Sequence, residues 1–248
     1  MLGKSQVKYI QSLGQKKVRD EEGVFIAEGP KIVGELLESA ELEISELFAL
    51  PDWITANGTS IKTIKTTEIN ESDLGKISQL STPNKVVALI KKPVISKTLH
   101  TKAALSLVLD TIQDPGNLGT IIRIADWFGI RQIICSKTCA DIYNPKTVQS
   151  TMGSIARVEV LYTELAQWLK EHKDVPVYAA ALEGKDVTAM KKITEGLIVI
   201  GNESKGISDE IFELIDVKVT IPRIGKAESL NAAVATGIIL SHVVWSEL

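Results

Sequence analysis

Cysteine and histidine are scarce in this chain of 248 residues, which has two cysteines and three histidines. A structural zinc site takes four ligands, and His100, His172 and His242 all lie far from the Cys135–Cys139 pair in sequence, so no metal centre is expected. The two cysteines read as packing residues rather than redox ones. Two thiols without a secretory signal fit a reducing compartment, and the expected location is the cytoplasm. The N-terminus has no apolar signal-peptide core. The apolar stretch 229–245 is short for a bilayer span and contains Asn231 and His242, so it reads as a buried helix. Neither sign of charge dominates, with 28 basic and 31 acidic residues and a net charge of −3. That balance excludes a uniformly basic coat but leaves room for a local basic patch.

The common nucleotide signatures are missing as well. Gly201 and Gly206 have the spacing of a phosphate loop, yet Ile207 stands where a lysine must reach the phosphates. No G-x-G-x-x-G follows the first strand of the second half, and no G-x-S-x-G elbow occurs.

What is present is a globular composition, 44% hydrophobic and 24% charged, over a length that accommodates two domains. Residues 1–19 carry Lys4, Lys8, Lys16, Lys17 and Arg19 and no acid. This basic N-terminal helix reads either as a solvated face or as a phosphate-contacting arm. Strands are expected at 24–29, 46–50, 61–65 and 85–90, with helices at 30–39 and 67–80. They make a small α/β domain over residues 20–92. Residues 93–103 have the composition of a linker. A second alternating series over 104–248 has strands expected at 104–110, 132–135, 158–162, 176–182, 197–201 and 217–221. Its expected helices are 116–128, 144–155, 163–172, 208–215 and 229–246. Strict alternation implies a parallel sheet covered on both faces, so the fold class is α/β. The last helix is apolar around nearly its whole circumference, and Val243, Val244 and Trp245 would stay exposed in a monomer.

The most specific feature is a phrase repeated with variations. Three short β-branched runs each end in a small-residue, asparagine-bearing loop that leads into a helix: LVLDTIQDPGNLGTIIRIADWFG at 107–129, LIVIGNESKGIS at 197–208, and VTIPRIGKAESLNAAVATGIIL at 219–240. Ligands in open α/β sheets sit beyond the carboxyl ends of the strands, so three such loops point to one shared site.

The set N-L-G-T-I-I-R (117–123), I-G-N-E-S-K-G-I-S (200–208) and I-P-R-I-G-K-A-E-S-L-N-A-A-V-A (221–235) closely resembles the SpoU/TrmH family, S-adenosylmethionine-dependent RNA ribose 2′-O-methyltransferases of the SPOUT superfamily. The resemblance covers residues 104–248. FIAEGPKIVGELL and ISQLSTPNKVVALI make residues 20–92 similar to the RNA substrate-binding domain often fused ahead of it. The resemblance implies a trefoil-knotted methyltransferase domain, a homodimer packed through the knot, rRNA or tRNA as partner, no metal and no membrane. It assigns Asn117, Arg123, Glu203, Ser229 and Asn231 to catalysis and substrate handling. It places Leu182, Gly201, Ile221 and Leu230 around the S-adenosylmethionine pocket. One departure is Ser204, where the family more often has glycine after the acid.

A guanidinium is a poor base, so Arg123 is expected to clamp the phosphate beside the target ribose and steady the developing alkoxide. Asn117, Ser229 and Asn231 would orient ribose or arginine, and Glu203 would fix its loop. Each residue also has a plain reading. Arg123 reads as pairing with Asp126 at i+3, Ser229 and Asn117 as helix caps, and Glu203 as a solvated turn residue. Two other functions share the fold: a non-catalytic RNA-binding protein and a SPOUT base methyltransferase.

Overall fold

A computed structural model describes residues 2–94 and 102–245. Residues 95–101, most of the expected linker, lie outside the described residues, as does the end of the last expected helix from 246 on. In chain order the elements are α1 (Lys4–Ser12), α2 (Lys16–Glu22), β1 (Val24–Glu28), α3 (Pro30–Leu37), β2 (Ile44–Ala49), α4 (Pro51–Asn57), β3 (Thr66–Glu68), α5 (Glu71–Ile77) and β4 (Val86–Lys91). They continue with β5 (Leu105–Leu109), α6 (Pro115–Trp127), β6 (Gln132–Ser136), α7 (Pro145–Thr151), β7 (Glu159–Thr163), α8 (Leu165–Glu171) and β8 (Val177–Asp186). The last are β9 (Gly196–Ile200), α9 (Asp209–Phe212), β10 (Val217–Thr220) and α10 (Ala232–Trp245). The chain divides into two compact units: Met1–Val94 with Asp141–Ala156, and Ile95–Ala140 with Arg157–Leu248.

The first unit is built on a four-stranded sheet in the order β1-β4-β2-β3. β4 is antiparallel to both its neighbours, and β3 runs parallel to β2. Ile10 and Leu13 from the N-terminal helix region pack with Ile26, Phe48, Leu74, Ile77, Val87 and Leu89 into one core. The expected strand at 61–65 is instead a turn, in which Ile64 N donates to Ile61 O at 2.9 Å; Ile61 is buried, and pairing starts one residue later, at Thr66. α5 is shorter than its pattern. Asn70 caps it by accepting from Asp73 N, and the chain turns extended at Ser78. The N-terminal helix expected over 1–19 is two helices, α1 and α2, and α2 ends at Gly23, whose φ of 64° is the left-handed stop. α4, which starts with Pro51 in its first turn, was not expected.

Arg19 corrects the basic-arm reading. Its side chain is 1% exposed, donates to Leu13 O and Gly14 O at 2.8 Å each, and pairs with Asp141 at 2.6 Å. It therefore locks the returning segment 141–156 into this unit and cannot face RNA. Removing one partner of such a buried pair costs about 3–5 kcal/mol. The same segment packs the Tyr143 ring against Phe25 in a tilted pair, with centroids 4.8 Å apart.

The second unit holds six parallel strands in the order β10-β8-β9-β5-β6-β7. Side chains alternate across such a sheet. Val108, Ile134, Val177, Ala179, Leu197 and Val199 share one face, covered by Leu165, Trp168 and Leu169 of α8 and Ile211 of α9. Leu107, Leu109, Ile133, Cys135, Ile198 and Ile200 have the opposite parity and are equally buried. α6 and α10 pack on each other. β5, β6 and β7 extend the sheet one way, and β9, β8 and β10 the other. The order reverses between β5 and β9, the position at which doubly wound sheets open a crevice.

α10 starts at Ala232 rather than 229. The expectation for its far end also needs correction. Val243 is fully buried, and its carbonyl accepts from Ile193 N at 2.8 Å. The large exposed apolar side chains of this helix are Val234 and Trp245. Among the described residues no helix is long and apolar enough to cross a membrane.

Candidate active site

The strands β5 and β9 lie side by side, so the loops that follow them leave the sheet at the same edge. Asp110 follows β5 and is nearly buried. Its Oδ2 accepts from Ser208 N at 2.8 Å and its Oδ1 accepts from Thr111 Oγ1 at 3.0 Å. Thr111 has φ 60°, a left-handed conformation that is costly for a β-branched residue. Its surroundings hold it there. Thr111 N donates to Ser136 Oγ, Thr111 Oγ1 meets Thr138 Oγ1, and its carbonyl accepts from Asn202 Nδ2, all at 2.9 Å. Beneath it, Ile112 N donates to Cys139 Sγ at 3.3 Å, and that thiol donates to Leu109 O at 3.2 Å. Hydrogen bonding by the Cys135 thiol, with help from Ser136 and the Ile112 amide, lowers the Cys139 thiol to about 7, while burial pushes Cys135 well up.

The loop after β9 closes on itself. Asn202 and Gly206 exchange two backbone hydrogen bonds of 2.9 Å, and Asn202 Oδ1 accepts from Ser204 N at 2.9 Å and Lys205 N at 3.1 Å. Gly201 is required for this closure. A Cβ there would stand 2.4 Å from the Gly206 carbonyl carbon and 2.5 Å from Ile207 N. The turn presents Glu203 towards α6, where Glu203 Oε1 accepts from Asn117 Nδ2.

Asn117 sits in the first turn of α6. The cap of that helix is Asp114, which accepts from Asn117 N at 2.9 Å. Asn117 Oδ1 in turn accepts from Asn231 Nδ2 at 2.9 Å. Asn231 also caps α10, its Oδ1 accepting from Ala233 N at 3.0 Å and Val234 N at 3.2 Å. One hydrogen-bonded chain, Asn231–Asn117–Glu203, therefore joins loops that are 86 and 114 residues apart in sequence. Three of the five expected catalytic residues meet in it. The plain readings of Asn117 and Ser229 as caps are replaced by Asp114 and Asn231, and Glu203 is bonded rather than merely solvated.

Arg123 and Ser229 are not part of this chain. Both are exposed, and neither side chain has a hydrogen-bond partner among the described residues. The i+3 pairing of Arg123 is not formed, because Asp126 is held by Nε and Nη2 of Arg157 at 2.9 Å each. Arg123 thus offers an unpaired guanidinium on the face of α6 that also carries exposed Thr120 and Trp127.

The four expected pocket residues are less tightly gathered. Leu182 does not end its strand, because β8 runs on to Asp186. It lies where pairing with β10 skips from Ala179 to Lys185, and its carbonyl accepts from Thr220 Oγ1 at 2.9 Å, beside Ile221. Leu182, Ile224 and Leu230 are large apolar side chains left exposed. Residues 222–231 are exposed throughout.

Sequence reasoning passed over Asp110, Asp114 and Asn202. An aspartate before Pro115 is a readable helix cap, and one was available at Asp114. Nothing local in the sequence marks Thr111 as left-handed. Among the described residues no group of three or more His, Cys, Asp or Glu side chains could hold a metal. The site offers an ordered amide–carboxylate chain, an unpaired cation and exposed apolar side chains on β8 and in the loop after β10.

Residues 104–241 match the model of the SpoU rRNA Methylase family, and residues 4–88 match the MRM3-like substrate binding domain. The chain is 31% identical over 242 residues, 96% of its own length and 95% of the other, to the 23S rRNA (guanosine(2553)-2′-O)-methyltransferase RlmP of Bacillus subtilis. It resembles the AdoMet-bound rRNA methyltransferase from Sinorhizobium meliloti with 30% identity and a TM-score of 0.87, covering 98% of this chain and 96% of that one. It also resembles the SpoU methyltransferase AviRb from Streptomyces viridochromogenes in complex with AdoMet, with 25% identity and a TM-score of 0.84 over 97% of each chain.

Proposed function

The chain belongs to the SpoU rRNA methylase family, and on that premise we propose that it transfers a methyl group from S-adenosylmethionine to a ribose 2′-hydroxyl of ribosomal or transfer RNA. The observation that carries this reading is the Asn231–Asn117–Glu203 chain, which ties the three motif loops together inside the matched region. The related proteins named above modify the 2′-oxygen or belong to the SpoU methyltransferases, so a base methyltransferase and a non-catalytic RNA binder are not favoured.

The cofactor fits what these residues present. Leu182 within β8 and Ile224 and Leu230 in the loop after β10 leave apolar surface uncovered, as a flat ring requires. Leu182, Gly201, Ile221 and Leu230 would line it. When bound, S-adenosylmethionine supplies a methyl on a sulfonium, a good leaving centre that needs no metal. The remaining work belongs to the chain. Arg123 grips the phosphate beside the target ribose and steadies the oxygen as it loses its proton to phosphate or water. Glu203, Asn117 and Asn231 set the angle between the loops, and Ser229 contacts the ribose.

The finer assignments are part of the proposal. Residues 104–248 form the trefoil-knotted SPOUT domain, and residues 20–92 hold the RNA. Lys4 and Lys8, exposed on α1, supply a salt-dependent contact; Lys16 and Lys17, paired with Asp20 and Glu21, supply less. The protein acts in the cytoplasm as a homodimer. Trp127 of α6 and Val234 and Trp245 of α10 are exposed on two helices that pack together, and a two-fold contact would cover them. Light scattering should then give about twice the 27.0 kDa chain mass.

The deciding experiment incubates purified protein with labelled cofactor and RNA from a strain lacking the gene. Transfer that leaves one nuclease-resistant linkage supports the reading. Label on a base, or none on any RNA, overturns it.

A further inference from the structure

Asn202 is used by neither the methyl acceptor nor the cofactor reading above, yet every polar atom of its side chain and backbone is engaged. Its Oδ1 closes its own turn on Ser204 N and Lys205 N, and its backbone pairs with Gly206. Its Nδ2 alone reaches outside, to Thr111 O at 2.9 Å, across 91 residues of sequence. Thr111 offers that carbonyl from a left-handed conformation, φ 60°. Bonds to Ser136, Thr138 and Asp110 hold it in that state. Strain of this kind persists only where surrounding contacts over-determine it.

We propose that Asn202 is a positioning residue: it latches the loop after β9 to the carbonyl of Thr111 and so holds Glu203 against Asn117. Two observations lead there. The residue next to the latch is Glu203, the carboxylate that accepts from Asn117. The same loop is fastened a second time, by Asp110 Oδ2 to Ser208 N at 2.8 Å, so Asn202 and Asp110 clamp the two ends of one turn onto the end of β5. The turn cannot shift as a body while both clamps hold. Releasing the Asn202 clamp frees the end that carries Glu203.

This inference rests on the methyl-transfer reading of the site. Failure of that reading shows as wild-type protein without transfer to any RNA; failure of the latch shows only in the variants. Asn202→Asp is the informative change. Its carboxylate still accepts from Ser204 N and Lys205 N, so the turn stays closed, but it has no donor for the Thr111 carbonyl and repels it. The expected result is a single-turnover rate lower by about 10–100-fold, with KM for RNA within about 3-fold. Slow exchange of the Ser204 and Lys205 amides should persist. Asn202→Ala should lose at least as much and also speed that exchange. If Asn202 acts through Glu203, adding Asn202→Asp to Glu203→Ala should cost nothing further. A wild-type rate in Asn202→Asp overturns the latch. So does a raised KM at unchanged rate, an independent loss in the double variant, or unfolding of both single variants.

Discussion

The loops after β5 and β9 differ sharply from the loop after β10. In the first pair, Asp110, Thr111, Asn117, Asn202 and Glu203 all have side-chain partners, most of them in another loop. Residues 221–231 are held by Arg223 Nη1 donating to Ala227 O at 3.1 Å and by Asn231 at the cap of α10. On the proposed function, the contrast separates two tasks. Groups that must stand at fixed angles when a methyl is transferred gain from being locked before substrate arrives, since no reorganisation is then needed. A segment that must admit and release a ligand gains from being open. Arg123 belongs with the open part: it is exposed and unpaired, as a group reserved for an anionic ligand should be.

The largest effect should come from that arginine. Arg123→Ala should lower methyl transfer by roughly 1,000-fold, within the range seen for lost transition-state contacts. Cofactor affinity by calorimetry should stay within a few-fold. Arg123→Lys should still fail by about 100-fold, because a point charge does not reproduce the planar fork. Near-normal turnover in the lysine variant would remove Arg123 from the phosphate.

A paired glycine substitution tests the contrast more directly. In the locked loop, Gly201→Ala would drive a Cβ into backbone at Gly206 and Ile207, which cannot yield like a side-chain tip. It should cost about 2–4 kcal/mol, seen as a lowered midpoint in denaturant. In the open loop, Gly225→Ala meets nothing within 4 Å and should stay within about 0.5 kcal/mol. Equal effects at the two sites would erase the distinction between the loops.

How much of this was legible in the sequence follows from the range of the forces involved. The β-branched runs and the asparagine loops announced strand ends, so the parallel sheet and Asn117, Glu203 and Asn231 were within reach of periodicity and motif. That these three bond to one another was not, because it depends on β9 lying beside β5. The left-handed φ of Thr111 has no local cause, since threonine is a poor choice for it, and only the completed network holds it. Arg19 misled for a similar reason. Five basic residues in a row of nineteen look like one patch, but the partner that buries Arg19 is Asp141, 122 residues away. The same distance hid the return of 141–156 to the first unit. The strand expected at 176–182 runs on as β8 to Asp186, and the jump in pairing from Ala179 to Lys185 is set by β10 and by Gly184, where a Cβ would stand 2.5 Å from Lys218 O.

The smallest and most specific effect concerns what a ligand does to the two kinds of loop. Ordering a residue costs about 1–2 kcal/mol of conformational entropy, so a loop with few bonds has the most to gain in protection when a ligand supplies them. Residues 222–231 are exposed, and most of their amides have no acceptor among the described residues, so they should exchange with solvent nearly freely in the unliganded protein. Saturating S-adenosylmethionine, or its demethylated product, should slow exchange there by about 10-fold or more, as expected for a segment drawn into the bound state. Ser204, Lys205 and Gly206 already donate to Asn202 and should change by less than about 3-fold. Asn231→Asp sharpens the test. The carboxylate keeps the cap of α10 by accepting from Ala233 N and Val234 N, but it has no donor for Asn117 Oδ1. Helix stability should hold within a few tenths of a kcal/mol, while the ligand-induced protection of 222–231 shrinks, because the tie between the open loop and the locked pair is cut. If protection instead spreads evenly over 201–206 and 222–231, or appears only in the first, the locked loop is the responsive one and the division of tasks is reversed.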